Sequence, residues 1–235
     1  MIELDTIYNE DCLTGMQRIP DGSVDCIVTD PPYVVGTTGA GMYKAADKRY
    51  VKELEEADIV DGFSTEILDE MCRVMKHINI CLFCSQKQIM PLLDYFVNGK
   101  GCNYNILSWH KTNPIPACGN KYITDTEFVL FFREKGVKMY GSVATKKTWW
   151  ATPLNVQDKH KFGHPTCKPE SIVDCLIQNH SQEGEVVLDP FMGSGTTAVS
   201  AKNNGRHFIG FELNRDYYDI ALRRIKLEQQ QTTLF

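Results

Sequence analysis

At 235 residues, with 43% hydrophobic and 23% charged residues, the chain has room for one α/β domain with a modest insertion, and is too apolar to be disordered. No stretch approaches the ~18 apolar residues of a membrane span, and Met1 to Asp5 lacks the basic and apolar regions of a secretory signal, which predicts a cytoplasmic protein. Nine cysteines, an odd number scattered through apparent strands and helices, suit reduced thiols better than a disulfide framework.

The elements alternate along the chain. Thr6 to Tyr8 reads as a short strand, Cys12 to Arg18 as a short helix or turn, and Val24 to Thr29 as a strong strand ended by Pro31 and Pro32, which cannot donate ladder hydrogen bonds. Val34 to Tyr50 carries Gly36, Gly39 and Gly41, and a loop of that length in a compact domain reads as a mobile binding loop or lid. Phe63 to Lys76 places Phe63, Ile67, Leu68, Met71, Val74 and Met75 close to one helical face. Ile78 to Cys84 is a strand, and its Cys81/Cys84 spacing, with no second pair, favours a buried strand over a zinc or redox site. Lys87 to Val97 is a second helix, with Pro91 expected in or near its first turn. Tyr104 to Trp109 and Thr126 to Phe132 read as a strand pair, and Gly136 to His164 has no regular period. Then follow a helix from Pro169 to Asn179, a strand Glu185 to Leu188, a helix Thr196 to Asn203, a strand His207 to Glu212, a helix Asp216 to Leu227 and a polar tail.

Strands alternating with helices of this length predict a doubly wound, mostly parallel sheet with helices on both faces, and the strand pair adds an antiparallel edge hairpin. Two strand-to-helix turns stand out. Asp30-Pro31-Pro32-Tyr33 closes the first strong strand, and Asp189-Pro190-Phe191-Met192-Gly193-Ser194-Gly195-Thr196 opens a helix about 160 residues later. A glycine-rich turn lets backbone approach a ligand and aims helix N-terminal amides at its polar end. The next strand ends in Glu212, a carboxylate placed to accept ribose hydroxyls; a helix cap is its bland alternative. No Gly-Lys-Ser/Thr follows the turn, against a phosphate-binding loop.

The net charge of -5 is unevenly spread. Arg133 to Lys168 holds eight Lys or Arg and two acids, so this stretch is +6 and the remainder -11. Tyr140, Trp149 and Trp150 interleave with its charges, as in a surface that stacks on bases and neutralises phosphates; a solvated loop would read the same way.

Taken with their order, these motifs resemble the S-adenosylmethionine-dependent amino-methyltransferases of DNA over nearly the whole chain. Asp30-Pro31-Pro32-Tyr33 is similar to the family's catalytic motif, Asp189 to Thr197 to its cofactor loop and Phe208 to Asn214 to its ribose-binding strand end. His164-Pro165-Thr166-Cys167-Lys168-Pro169 is similar to the segment before the cofactor loop, and Asn9 to Leu13 to the acidic turn at the cofactor adenine. Catalytic motif first and cofactor loop last is the permuted order of the β class. The resemblance implies a seven-stranded Rossmann-like sheet and a single catalytic domain over 1-235, with a short recognition insertion at about 135-163 and a mobile loop at about 34-50.

The resemblance also implies the chemistry. An exocyclic amine is a poor nucleophile because its lone pair is delocalised into the ring. The Asp30 carboxylate and the Pro31 carbonyl would each accept an amine N–H, freeing the lone pair and stabilising the charge that develops. Pro32 would fix the turn and Tyr33 would stack on the base, flipped out of the duplex for a single in-line transfer. Cofactor contacts carried over are Asp11, Cys12, His164, Thr166, Lys168, Asp189, Phe191, Gly193, Ser194, Gly195, Thr196, Glu212, Leu213 and Asn214. Lys168 is assigned to the methionine carboxylate of S-adenosylmethionine or else is a solvated lysine at a helix start; Trp109 lies beside the base pocket or in the core. DNA contacts are assigned to Lys44, Lys48, Arg49, Lys138, Lys146, Lys147, Trp149, Trp150, Lys159 and Lys161.

Asp at the first motif position points to N6 of adenine, because N4-cytosine enzymes more often carry Ser there. The alternatives are N4-cytosine transfer, transfer to RNA or a protein amide, and a catalytically silent subunit that binds nucleic acid. Expected partners are double-stranded DNA, a second copy in a homodimer and a cognate restriction endonuclease.

Overall fold

The computed structural model of the chain describes residues 2-32, 64-114, 116, 120, 122-154 and 167-232. Tyr33, Lys44, Lys48, Arg49, Lys159, Lys161, His164, Thr166 and the 34-50 loop lie outside the described residues.

Eight strands form one sheet: β1 Thr6–Tyr8, β2 Cys26–Thr29, β3 Asn79–Cys84, β4 Asn103–Lys111, β5 Thr126–Arg133, β6 Trp149–Thr152, β7 Val186–Asp189 and β8 His207–Phe211, in the order β1-β8-β7-β2-β3-β5-β4-β6. Among them only β5 runs against the rest, antiparallel to both β3 and β4. The helices are α1 Cys12–Met16, α2 Thr65–Val74, α3 Gln86–Leu93, α4 Glu170–His180, α5 Thr196–Asn203 and α6 Arg215–Thr232. None of the described helices is long and apolar enough to cross a membrane.

β3 is buried at all six positions, because it is central and covered on both faces, so its Cys81 and Cys84 are free core thiols. On one face α1, α2 and α3 pack Met16, Leu68, Met71, Val74 and Leu92 against Ile27, Ile80, Leu130, Leu188 and Ile209. On the other, α4, α5 and α6 pack Ile172, Leu176, Ala198 and Ala221 against Val28, Phe83, Val129, Phe131 and Phe208.

The alternation and the antiparallel pair follow the sequence expectation, with several differences. An eighth strand, β6, joins by pairing parallel to β4, so the β4–β5 pair is not the edge. Four residues between irregular turns are too short for a periodic signal, although Trp-Trp-Ala-Thr suits a pleated surface. β2 starts at Cys26, since Val24 leaves the ladder to bridge Met75. Pro91 is the sixth residue of α3 rather than a first-turn proline, and α3 continues into a wider π-type turn, Asp94–Gly99. The polar tail extends α6 as far as Thr232.

Candidate active site

The sheet order reverses between β7 and β2. From β7 the chain runs through α5 to β8 on one side; β2 leads towards β3 on the other, with α2 on the opposite face. A crevice at the carboxyl ends of such strands is where doubly wound sheets bind ligands. Both turns open there. β2 delivers Asp30 and β7 delivers Asp189, and the strands are neighbours through Ile27 and Leu188. The Thr29 hydroxyl donates to Asp189 Oδ1 across this seam at 2.6 Å.

Asp189 is buried and also accepts the Phe191 amide at 3.0 Å; burial lifts its carboxyl to about 6 against the pull of Thr29. Behind it, Gly193 (φ 54°) and Gly195 (φ 81°) take left-handed backbone that other residues rarely adopt, and a Cβ on Gly195 would stand 3.0 Å from that of Ala221 in α6. Ser194 and Thr196 are buried with their hydroxyls turned inward to Arg224, which lies 3.3 Å from Ser194 Oγ and 2.8 Å from Thr196 Oγ1. The hydroxyls of Ser194 and Thr196 are therefore engaged behind the turn, while Phe191 stays partly exposed. Arg224 also reaches Glu170 Oε2 at 3.3 Å, so one fully buried guanidinium ties the turn to α4 and α6.

Glu212 follows β8 directly. Its carboxylate accepts the Gly193 amide and the Asn214 amide, both at 2.8 Å; burial raises its proton affinity while those two amides oppose the rise. Glu212 thus braces the glycine turn as well as standing where a ribose contact is expected. Asn214 caps α6, its Oδ1 accepting the Asp216 amide at 2.9 Å, and Leu213 is exposed. The turn after β1 joins this group, because the Asn9 side chain donates to the carbonyls of Glu212 and Leu213 at 2.8 and 3.1 Å. Asp11 there caps α1 by accepting the Thr14 amide at 2.9 Å. Cys12 is a core residue, and burial with Asp11 beside it pushes its thiol to about 12.

Pro31 is buried, and the Pro32 carbonyl accepts from Gln88 Nε2 at 3.1 Å. Gln88 went unassigned in the sequence, though Ser85-x-x-Gln88 is a capping-box signature: Gln88 Oε1 takes the Ser85 amide at 3.0 Å and its hydroxyl at 2.8 Å. Lys168 lies against carboxylates. Its Nζ is 2.5 Å from Asp30 Oδ2 and 3.3 Å from Glu127 Oε2, while Glu127 Oε1 is 2.8 Å from Lys111 Nζ. Lys168 is buried, which excludes the solvated-lysine alternative. Burial would raise the Glu127 carboxyl, but Lys168 and Lys111 override it and hold it at about 2. Burial likewise disfavours the Lys168 ammonium, and Asp30 and Glu127 carry it above the ordinary lysine value. Trp109 is buried and donates to Thr152 Oγ1 at 2.7 Å.

A family model described as a DNA methylase matches residues 24-223. The chain belongs to the DNA methylase family. The type II methyltransferase M.HinfI of Haemophilus influenzae is 30% identical over 253 aligned residues, covering 95% of this chain and 68% of that one. The crystal structure of the M1.HpyAVI–SAM complex superposes with a TM-score of 0.69 at 27% identity, covering 94% of this chain and 98% of its own. The cytosine-N4-specific PvuII DNA methyltransferase shares the fold at 14% identity, with a TM-score of 0.67 and coverage of 96% and 91%.

The methylase separates the residues assigned to DNA. β5 ends at Arg133 beside Asn79 and Asn103, at the opposite end of the sheet from Asp30. Asn79 Nδ2 donates there to the His180 carbonyl at 2.8 Å. Asn179, one residue earlier, binds the Thr145 carbonyl at 3.0 Å and takes the Tyr140 amide on its own carbonyl at 2.9 Å. Lys138 and Lys146 are exposed beside this far end, and Lys147 follows them. Only from Trp149 does the chain climb along β4 toward Lys111 and the catalytic end. Strand alternation divides the two tryptophans: Trp149 is 56% exposed, whereas Trp150 packs against the α4-side core. Charge counted along the sequence could not reveal that β5 sets the start of the basic stretch, Arg133 to Lys146, at the end of the sheet away from Asp30.

Proposed function

We propose that this methylase transfers the methyl group of S-adenosylmethionine to the exocyclic N6 of adenine at a specific sequence in double-stranded DNA, after the base is rotated out of the duplex. The observation that carries the reading is the emergence of the Asp30 turn and the glycine turn from adjacent parallel strands at the point where the sheet order reverses, joined by the 2.6 Å contact of Thr29 with Asp189.

The glycine turn fits the cofactor: left-handed backbone at Gly193 and Gly195 leaves the main chain uncovered on the crevice side, and Glu212 stands next to it. Phe191, Gly193, Gly195, Glu212, Leu213 and the Asn9 to Asp11 turn would line the cofactor, with Cys12, Asp189, Ser194, Thr196 and Asn214 holding that lining in place. His164 and Thr166 keep the cofactor role carried over from the resemblance. When bound, the cofactor supplies an electrophilic methyl group. On the other side of the crevice, Asp30 and the Pro31 carbonyl accept the two N–H groups of the base amine, Gln88 steadies the turn through Pro32, and Tyr33 stacks on the base. DNA would approach the carboxyl-end rim, with Trp149 the described DNA candidate that points to solvent along that path.

N4 of cytosine presents the same amine geometry, and an N4-cytosine enzyme shares this fold. Adenine is favoured because the first motif residue is Asp30. The deciding experiment incubates the purified chain with S-adenosylmethionine and unmethylated bacterial genomic DNA, then digests the product to nucleosides. N6-methyl-2′-deoxyadenosine is expected, and N4-methyl-2′-deoxycytidine would overturn the choice of base. Asp30→Ala should abolish transfer and leave cofactor binding intact; equal loss of both would contradict the division of labour between the turns.

A further inference from the structure

We propose that Lys168 and Glu127 are positioning residues for Asp30, forming with Lys111 a largely buried relay of alternating charge that fixes the plane of the catalytic carboxylate. The inference rests on the amine-binding role of Asp30 given above. The four groups come from four places in the chain: Asp30 from the end of β2, Lys168 from the segment before α4, Glu127 from the start of β5 and Lys111 from the end of β4. The successive contacts are 2.5, 3.3 and 2.8 Å. Lys168 Nζ also lies 5.2 Å from the centre of the Phe83 ring, and Lys111 Nζ lies 5.5 Å from that of Trp109.

Buried ion pairs are poor investments in stability, because desolvation consumes most of the attraction. A relay of two cations and two anions, one of them the motif aspartate, is better accounted for by what it does to that aspartate. Pinning one Asp30 oxygen on an ammonium fixes where the other points, and an acceptor aimed at one amine N–H needs that direction. Glu127 keeps the Lys168 charge from dominating Asp30, and Lys111 balances Glu127 in turn. Lys111 also ties the end of β4 to the start of β5 through Glu127, and Lys168 ties that start to the end of β2.

The test uses the full chain, tritiated S-adenosylmethionine and unmethylated bacterial genomic DNA. It reads three quantities: the transfer rate at saturating cofactor, cofactor affinity by calorimetry, and the acid limb of the rate–pH profile. Asp30 is faced by Lys168, by Asp189 from β7 and by Cys84 from β3, with Glu127 and Lys111 behind Lys168. Asp189, lifted by burial, is common to every variant, so the sign of the difference between variants is the informative quantity. Glu127→Gln and Lys168→Gln should each slow saturated transfer by on the order of tenfold to a hundredfold, the scale of a misplaced reacting group. Cofactor affinity should change by less than about threefold, under 1 kcal/mol. The acid limb should move up by about one pH unit in Lys168→Gln, which removes a cation from beside Asp30, and down in Glu127→Gln, which removes an anion. Lys168→Arg should restore the wild-type limb.

Unchanged rates and limbs in both Gln variants would overturn the relay. So would a Lys168→Gln variant that binds cofactor about tenfold more weakly yet transfers normally at saturation, for Lys168 would then be a cofactor contact. If Lys168→Gln gives no cooperative thermal transition, Glu127→Gln decides on the same readouts. An Asp30→Ala variant that still transfers would overturn the reading beneath the relay, whereas an inactive Asp30→Ala beside unaffected Gln variants overturns the relay alone.

Discussion

Thr29 and Asp189 lie 160 positions apart in the chain, yet the Thr29 hydroxyl donates to the buried Asp189 carboxylate at 2.6 Å. The contact joins the last residue of β2 to the last residue of β7, so it also sets the spacing between the turn carrying Asp30 and the glycine turn. Thr29→Val keeps the shape and removes the donor, leaving Asp189 Oδ1 to the Phe191 amide. A loss of about 1–3 kcal/mol of stability is expected, the cost of leaving a buried acceptor short of a partner. Urea unfolding at neutral pH measures it, and a variant as stable as wild type would show that the contact contributes nothing.

Gln88 acts at two places with one side chain. Its Oε1 completes the start of α3 at Ser85, and its Nε2 holds the Pro32 carbonyl. Gln88→Leu removes both, costing about 1 kcal/mol for the helix start and freeing the turn that presents Asp30. Saturated methyl transfer should fall on the order of tenfold, with cofactor affinity unchanged by calorimetry. A drop in cofactor affinity instead would mean that Gln88 serves the other turn.

Much of this arrangement was legible in the residues. Asp30 to Tyr33 after an apolar strand, and Gly193 and Gly195 before a helix, are local signals, and the fold sets both at neighbouring strand ends. Long-range partners were not legible. Lys168 reads as a cofactor contact or a helix-start lysine because nothing near it in sequence shows that β5 brings Glu127 alongside, and Glu127 reads as one polar residue in an apolar strand. Ser194 and Thr196 read as cofactor contacts because a glycine turn advertises an open surface; their inward direction depends on Arg224, about thirty residues later. The placement of the basic stretch was not legible for a related reason: net charge is additive along the chain, whereas the reversal of β5 decides at which end of the sheet Arg133 to Lys146 emerge.

Arg224 is the fully buried cation that holds the glycine turn from behind. Arg224→Met keeps much of the volume and loses the hydrogen bonds to Ser194, Thr196 and Glu170. Glu170 is partly exposed and can turn to water, so the expected loss is about 1–3 kcal/mol rather than that of a stranded buried charge. Cofactor affinity should weaken on the order of tenfold, 1.4 kcal/mol. Calorimetry and thermal unfolding check the two effects, and an unaltered affinity would show that the turn keeps its shape without the guanidinium.

His180 predicts how the methylase responds to acid. Its ring lies tilted against Phe131 with centroids 3.9 Å apart, it is 2% exposed, and its buried Nδ1 has no hydrogen-bond partner among the described residues. Burial, with Arg133 and Lys146 nearby, lowers its proton affinity from the ordinary 6.5 to about 3. The native state therefore stays neutral where the unfolded chain takes up a proton, so stability is lost as pH falls from about 6.5 toward 3. At pH 5 the penalty is about 2 kcal/mol by this linkage. His180→Phe keeps a ring on Phe131 and removes the titration. Urea unfolding at pH 7 and pH 5 should then show a smaller loss of stability in the variant than in wild type, by about that amount. Equal losses would mean that His180 becomes protonated in the folded protein without cost.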